Sequence, residues 1–210
     1  IPLAEMGTDE RRQPEIVKSR FRATLIGYAM GLGDRHGGNL LVGQTFEGGQ
    51  VRHTGVVNID FQRAFRGSSD FRTYLDGHVA EGGGVGLDLA GDLRRAISNG
   101  DISREDLVTI IEEVGEKIRE VKEVHLSNII EDLSPLSRLG GNDTTTAGMP
   151  LSRGIEDVGD YGEIVRDHLE LVVFALEDVN TILENLFEGE AEELFVSLPK
   201  ERVVKERVFG

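Results

Sequence analysis

Residues 27–42 read GYAMGLGDRHGGNLLV, and residues 56–61 read VVNIDF. The first stretch passes from the end of a predicted helix through a glycine-rich loop into a predicted strand. The loop carries Asp34, His36 and Asn39 within six residues. Because glycines allow backbone angles that other residues avoid, such a loop can direct several polar side chains towards one place. These two segments therefore hold the candidate chemistry of the chain.

Phosphoryl transfer to a hydroxyl group needs a small set of side chains. One carboxylate orients the attacking hydroxyl or accepts its proton, and another carboxylate and an amide oxygen hold the metal ions that bridge the phosphates. A cationic group meets the charge on the transferring oxygens. The two segments contain all of these side-chain types: Asp34, Arg35, His36, Asn39 and Asp60. They therefore indicate phosphotransferase chemistry.

The order of these residues also resembles a known family. Gly-Leu-Gly-Asp-Arg-His over residues 31–36, followed by Asn39 and by Ile-Asp-Phe over residues 59–61, is similar to the catalytic and metal-binding loops of the phosphatidylinositol 3- and 4-kinase family. That family includes the related protein kinases of the target-of-rapamycin type. The similarity covers about residues 16–66, less than a third of the chain. It implies the C-lobe of a protein-kinase-like fold.

The resemblance also implies a role for each residue. Asp34 would be the catalytic aspartate, His36 would lie beside the transferring phosphate, and Arg35 would orient the loop. Asn39 and Asp60 would bind Mg²⁺, and with it the phosphates of ATP. The implied activity is Mg²⁺- and ATP-dependent phosphoryl transfer to a hydroxyl-bearing acceptor.

Two positions near the second motif differ from the family's pattern. The family's glycine after Asp-Phe is Gln62 here, and the residue two positions before the aspartate, usually histidine, is Asn58. Neither change removes a predicted metal ligand. A glutamine in place of the glycine could reshape the segment that follows.

A kinase of this type also needs an N-lobe of about five strands and one helix, roughly 60–70 residues. Only 33 residues precede Asp34, and the one lysine among them, Lys18, falls in a predicted helix. We therefore expect the N-lobe to come from upstream sequence or from another chain. The alternative is a non-catalytic kinase-like scaffold, in which the acidic helices bind a protein partner.

Periodicity predicts a mainly α (α+β) chain with a small β-hairpin and a long antiparallel helix pair. Pro14 suits a first helical turn, and Ser103 with Asp106 forms a capping-box signal. Gly48-Gly49 marks the hairpin turn. The predicted helices span residues 15–30, 87–98, 104–133 and 162–187, and the predicted strands span residues 40–42 and 51–60.

These elements divide the chain into four parts. We expect a tail over residues 1–14, a kinase C-lobe-like region over 15–133, and a mobile loop or linker over 134–160. The C-terminal helical segment, 161–210, is expected to pack on the 104–133 helix.

Composition narrows the function classes further. The chain has no cysteine, which excludes disulfides, thiolate zinc sites and cysteine nucleophiles. Residues 1–80 carry ten Lys and Arg against nine Asp and Glu, whereas residues 81–210 carry thirteen against twenty-nine. The strong negative charge of residues 81–210 argues against nucleic acid as a partner. The sequence shows no signal-peptide pattern and no apolar run of about 18 residues, so we expect a cytoplasmic protein without a transmembrane segment.

Other polar features of the sequence have simpler interpretations. The glycine-rich stretch 82–86 lacks the residues of a phosphate-binding loop and is expected to be a flexible loop. Three arginines after Asp60 could receive an acidic group or be solvated: Arg63, Arg66 and Arg72. Four histidines show no metal-ligand spacing and are expected to be structural or solvated: His53, His78, His125 and His168. Protein, lipid and small-molecule acceptors stay open, although the lack of a strong basic surface speaks against a lipid.

Overall fold

The computed structural model describes residues 1–32, 37–59, 71–72, 74–75, 88–128, 131 and 158–196. In these ranges the chain is mostly helical and has one antiparallel two-stranded sheet, which confirms the mainly α expectation. Residues 134–157 of the predicted loop lie outside the described residues, and so does the stretch 82–86. Residues 158–160, predicted to be loop, are helical.

The described elements follow one another along the chain as helices interrupted by a single hairpin. They are α1 (Thr8–Arg11), α2 (Pro14–Ala29), β1 (Leu40–Glu47), β2 (Gln50–Asn58), α3 (Leu89–Asn99), α4 (Arg104–Glu120), α5 (Val158–Glu177), α6 (Val179–Leu186) and α7 (Ala191–Val196). Short 3-10 turns lie at Leu3–Glu5 and Gly37–Asn39, and a π-helical turn at Val121–His125 continues α4.

Helix α2 is the central element, because it contacts the hairpin and the helices α3, α4 and α5. It begins at Pro14, whose fixed φ angle suits a first helical turn and whose missing N–H costs nothing there. It ends at Ala29, and Gly31 follows with a φ of +51°. Both ends agree with the sequence prediction.

The hairpin is longer than the sequence predicted. Gly48 and Gly49 have φ angles of 60° and 79° and form a two-residue turn, which lets β1 continue to Glu47. Residues 44–47, predicted as part of a loop, pair with residues 50–53. The register shifts after Gly43, where Thr54 is the extra residue of a bulge and Gly55 has a φ of +151°.

Residues 1–14 do not form the tail that the sequence predicted. Leu3 and Met6 are buried in a small apolar cluster with Ile16 of α2 and with Val42 and Val56 of the hairpin. The backbone N–H of Val42 donates to the carbonyl of residue 1, and Pro2 bridges to Leu41. Two apolar side chains on one short turn give no periodic signal, so their burial was not visible in the sequence.

The helices α4 and α5 pack against each other and run antiparallel, as predicted. Ion pairs join Arg119 to Glu177 at 2.8 Å and Lys122 to Glu170 at 3.0 Å. Residue numbers therefore rise along one helix where they fall along the other. One turn before Arg119, Gly115 lies against Leu176, so a Cβ at Gly115 would be 3.5 Å from the leucine Cβ.

The predicted single helix over residues 162–187 is wrong, because Asp178 divides it into α5 and α6. Asp178 has φ −93° and ψ 78°, outside the helical region, and its carboxylate accepts hydrogen bonds from the N–H (3.1 Å) and hydroxyl (2.8 Å) of Thr181. These bonds, led by the one from the backbone N–H, lower the pKa of Asp178 below its ordinary value. An apolar stripe that continues through the break hides it from a periodicity analysis.

The capping box at the start of α4 provides a test of this description. Ser103 Oγ accepts the N–H of Asp106 at 3.1 Å, and the Asp106 carboxylate accepts the N–H of Ser103 at 2.8 Å. We expect Ser103→Ala to lower the free energy of unfolding by about 1 kcal/mol, because the N–H of Asp106 loses its partner. Urea unfolding measures this change. Ser98→Ala, at an exposed position within α3, is the matched control and should change the stability by less than about 0.5 kcal/mol. Equal unfolding midpoints for Ser103→Ala and the control would contradict the capping role.

Candidate functional site

One of the five predicted site residues lies in the described part of the chain. Asn39 ends the 3-10 turn that leads into β1, and its side chain is buried. Asp34, Arg35, His36 and Asp60 lie outside the described residues. The geometry of the site is therefore defined by the residues on either side of them.

Asn39 lies beside Ile59, the residue that precedes Asp60. The hairpin pairs Leu40 with Asn58, and the N–H of Ile59 donates to the carbonyl of Asn39 at 3.0 Å. The hairpin therefore returns the chain to its own starting point. Asn39 ends the first motif segment and Ile59 leads directly into the second, so these two ends meet.

The other ends of the two segments meet at Tyr28. Tyr28 is fully buried near the C-terminal end of α2, four residues before Leu32. Its ring packs edge-on against Phe71, with 4.9 Å between centroids, and lies 5.3 Å from the ring of Tyr74. The chain thus leaves α2 before residues 33–36 and returns to the same helix after residues 60–70.

These two contacts bracket both motif segments. Residues 33–36 depart next to Tyr28 and end next to Asn39, whereas residues 60–70 depart from Ile59 and end at Phe71. The Asn39–Ile59 hydrogen bond and the Tyr28–Phe71 ring contact join the segments at both ends. The described flanks of both segments therefore lie together, at the end of α2 and the base of the hairpin.

Two hydrogen bonds hold the hairpin on α2. Ser19 Oγ accepts the N–H of Val56 at 2.7 Å, and Asn58 Nδ2 donates to the carbonyl of Ala23 at 2.8 Å. Asn58, the last residue of β2, thus links the strand to the helix. A side chain at Gly27 would lie 2.6 Å from the Tyr74 hydroxyl, so this glycine permits the close approach.

His168 of α5 contacts the same end of α2. Its ring is buried, and Nε2 lies 3.3 Å from the carbonyl oxygen of Tyr28. Burial lowers the pKa of His168 below its ordinary value, and hydrogen bonds to the backbone of Tyr28 and Ala29 partly oppose this. The sequence predicted a structural or solvated histidine; it held no signal for this contact, because the two residues are 140 positions apart.

The Arg72 side chain is held by hydrogen bonds to residues at the end of α6. It donates to the carbonyl of Asn185 at 3.2 Å and to the carboxylate of Glu188 at 3.3 Å. These contacts tie the segment after the second motif to the end of α6. Arg63 and Arg66, the other two arginines that could receive an acidic group, lie outside the described residues.

Lys18 lines a separate cleft of about 510 Å³ between α2, β2 and the start of α4. Its amino group pairs with Glu15 at 2.9 Å and lies 3.8 Å from Asp106. None of the residues that flank the two motif segments (Tyr28, Leu32, Asn39, Ile59 and Phe71) lines this cleft. Lys18 thus serves the packing of α2 on α4.

The described residues offer neither a metal-binding cluster nor a membrane-spanning helix. They contain no group of three or more histidine, aspartate or glutamate side chains that could hold a metal ion. No helix in the same ranges has both the length and the apolar character needed to cross a membrane. Three of the predicted acidic and imidazole groups, Asp34, His36 and Asp60, lie outside these ranges.

No protein-family model, curated protein or solved structure matches this chain. The functional inference therefore depends on the residues and contacts of the chain itself.

The buried imidazole gives an expected pH dependence. A histidine whose pKa is lower in the folded than in the unfolded chain binds fewer protons when folded, so stability is fully present above the unfolded pKa of about 6.5 and falls as the pH drops below it. We expect wild-type stability to fall more steeply than that of His168→Gln between about pH 7 and about pH 5. Urea unfolding across this range measures both slopes. Parallel slopes would show that His168 titrates alike in both states.

Proposed function

We propose that this chain supplies the catalytic C-lobe of a phosphatidylinositol 3-/4-kinase-like phosphotransferase. The supporting observation is that the flanks of the two motif segments meet pairwise, at Asn39 with Ile59 and at Tyr28 with Phe71. Segments joined at both ends can present their side chains to one cleft, as phosphoryl transfer requires. If the motif residues had come together in the sequence by chance, nothing about their chemistry would require the flanks of both segments to meet.

In this proposal each motif residue has a role in the phosphoryl transfer. Asp34 orients the acceptor hydroxyl and takes its proton, and His36 meets the charge on the transferring oxygens. Arg35 offers five donors and is suited to fixing the carbonyls of its own loop. Bound Mg-ATP supplies the phosphoryl group and the cations that neutralise its charge.

The donor set fits Mg²⁺. Asn39 and Asp60 provide an amide oxygen and a carboxylate, which are the hard oxygen ligands that this ion prefers. Asn39 is held at the base of the hairpin by the bond between its carbonyl and Ile59, so a ligand at this position is presented on rigid backbone. Few protein ligands are typical of Mg²⁺ sites, because substrate phosphates and water complete the shell.

The remaining parts of the enzyme would come from elsewhere. We propose that the N-lobe is provided by upstream sequence or by another chain, and that the protein works in the cytoplasm, where Mg-ATP is abundant. The acidic second half is unsuited to binding nucleic acid. The acceptor is a hydroxyl-bearing protein, lipid or small molecule.

A second candidate function is a non-catalytic scaffold that binds a protein partner. It is favoured by Leu171 and Phe174 on the outer face of α5, which are 53% and 75% exposed. They lie one helical turn apart, and Asp167 and Glu170 are exposed on the same face. Exposed apolar side chains next to acidic ones are suited to a partner helix with basic and apolar residues.

Mutation of the proposed base tests its catalytic role. We expect Asp34→Ala in the complete assembly, with the N-lobe present, to lower turnover by at least about 100-fold. In this variant the hydroxyl group of the substrate loses the carboxylate that takes its proton. Asp101→Ala, at an exposed position outside the motif, is the matched control and should retain turnover. Steady-state phosphoryl transfer measures both variants. Near-normal turnover in Asp34→Ala would show that another group acts as the base.

The isolated 210-residue chain should bind Mg-ATP weakly and should not hydrolyse it. Without an N-lobe, water reaches the phosphates and no lysine neutralises them, so both affinity and electrostatic stabilisation are lost. Isothermal titration of the chain alone and of the complete assembly compares the two, and Asp60→Ala in the assembly should remove the binding. Micromolar binding and hydrolysis by the isolated chain, lost in Asp60→Ala, would contradict the two-lobe proposal.

A further inference from the structure

His168 connects the C-terminal helices to the start of the first motif segment. Its ring donates to the carbonyl of Tyr28, which belongs to the last turn of α2. Carbonyls in a last turn have no partner within the α-helix, and in a buried position they need one. Here the Tyr28 carbonyl also accepts the N–H of Gly31 at 2.9 Å. The histidine therefore secures the point at which α2 gives way to the motif loop.

The chain between this point and the motif is short and directed. After Tyr28 it passes through Gly31, with its positive φ, to Leu32, whose N–H donates to the carbonyl of Gly27 at 2.9 Å. Leu32 is fully buried. The direction in which the chain enters residues 33–36 is thus set by the last turn of α2.

Tyr28 also carries the contact with the second segment. Its ring packs on Phe71, which follows residues 60–70, while its carbonyl faces His168. A shift of Tyr28 would therefore change the departure of the first segment and the end of the second together. Placement errors of about 1 Å at reacting groups can cost about 100-fold in rate.

We infer that His168 is a positioning residue for the catalytic loop, through which α5 sets the place of Tyr28 and so the alignment of both motif segments. This inference rests on the proposed function. It goes beyond that proposal because it gives a role to a residue outside the motif and outside the region of family resemblance. His168 would not touch the substrate, so it is not a catalytic residue.

Three variants in the complete assembly test the inference. His168→Leu removes the donor, His168→Gln keeps an amide donor, and His125→Leu is the control, because His125 is exposed on the π-helical turn. Steady-state kinetics give kcat and KM, and hydrogen exchange gives the protection of the Gly31 and Leu32 amides in the same proteins.

We expect His168→Leu to lower kcat by about tenfold or more, with KM for ATP within about twofold, because alignment is lost while the nucleotide site remains. The Gly31 and Leu32 amides should exchange faster in this variant. His168→Gln should restore much of both properties, and His125→Leu should behave as wild type. If His168→Leu does not fold, His168→Asn makes the same test, because its amide donor is on a shorter side chain and lies farther from the Tyr28 carbonyl.

Two results would overturn the inference. One is an unchanged kcat in folded His168→Leu; the other is a fall in kcat that His168→Gln does not reverse, which indicates loss of packing alone. If the wild-type assembly shows no phosphoryl transfer, the proposed function fails, and the amide exchange still decides whether His168 holds the end of α2. Unchanged exchange in His168→Leu would then refute the positioning role.

Discussion

The structure depends on how the end of α2 is held. Tyr28 is fully buried there, with Phe71 against its ring and His168 at its carbonyl. Helix α2 also carries the hairpin through Ser19 and Asn58, so the hairpin base and the loop that follows α2 share one support. Deep burial makes this support rigid, because close-packed cores respond to displacement with a loss of contacts. The chain that leaves α2 at Gly31 therefore starts from a fixed position.

The helix boundaries were predictable where a local signal sets them. Pro14 and the Ser103–Asp106 capping box act within a few residues, so they can be recognised in the sequence alone. The break at Asp178 uses an equally local bond, but the apolar stripe continues through it and dominates the periodicity. The burial of Leu3 and Met6 depends on the hairpin, more than thirty residues away in the chain, and leaves no local pattern.

The candidate site shows the same division. The candidate site residues could be named from the sequence, because their types and order are specific. The contacts between the flanks of the two segments could not be predicted, apart from the hairpin turn that returns Ile59 to Asn39. The sequence predicts only a structural or solvated role for His168, since its contact with Tyr28, 140 positions away in the chain, requires the fold. Sequence thus names the candidate groups, and packing shows which contacts hold their described flanks.

The central claim is that Asn39 and Asp60 converge on one metal site although 21 residues separate them in the chain. A crystal structure of the complete assembly with a non-hydrolysable ATP analogue and Mn²⁺, which gives an anomalous signal, tests it most directly. We expect side-chain oxygens of the two residues to lie within about 5–6 Å of each other, with one or two cations that they share or bridge. Side chains on opposite faces of the hairpin base, with no cation between them, would contradict the account.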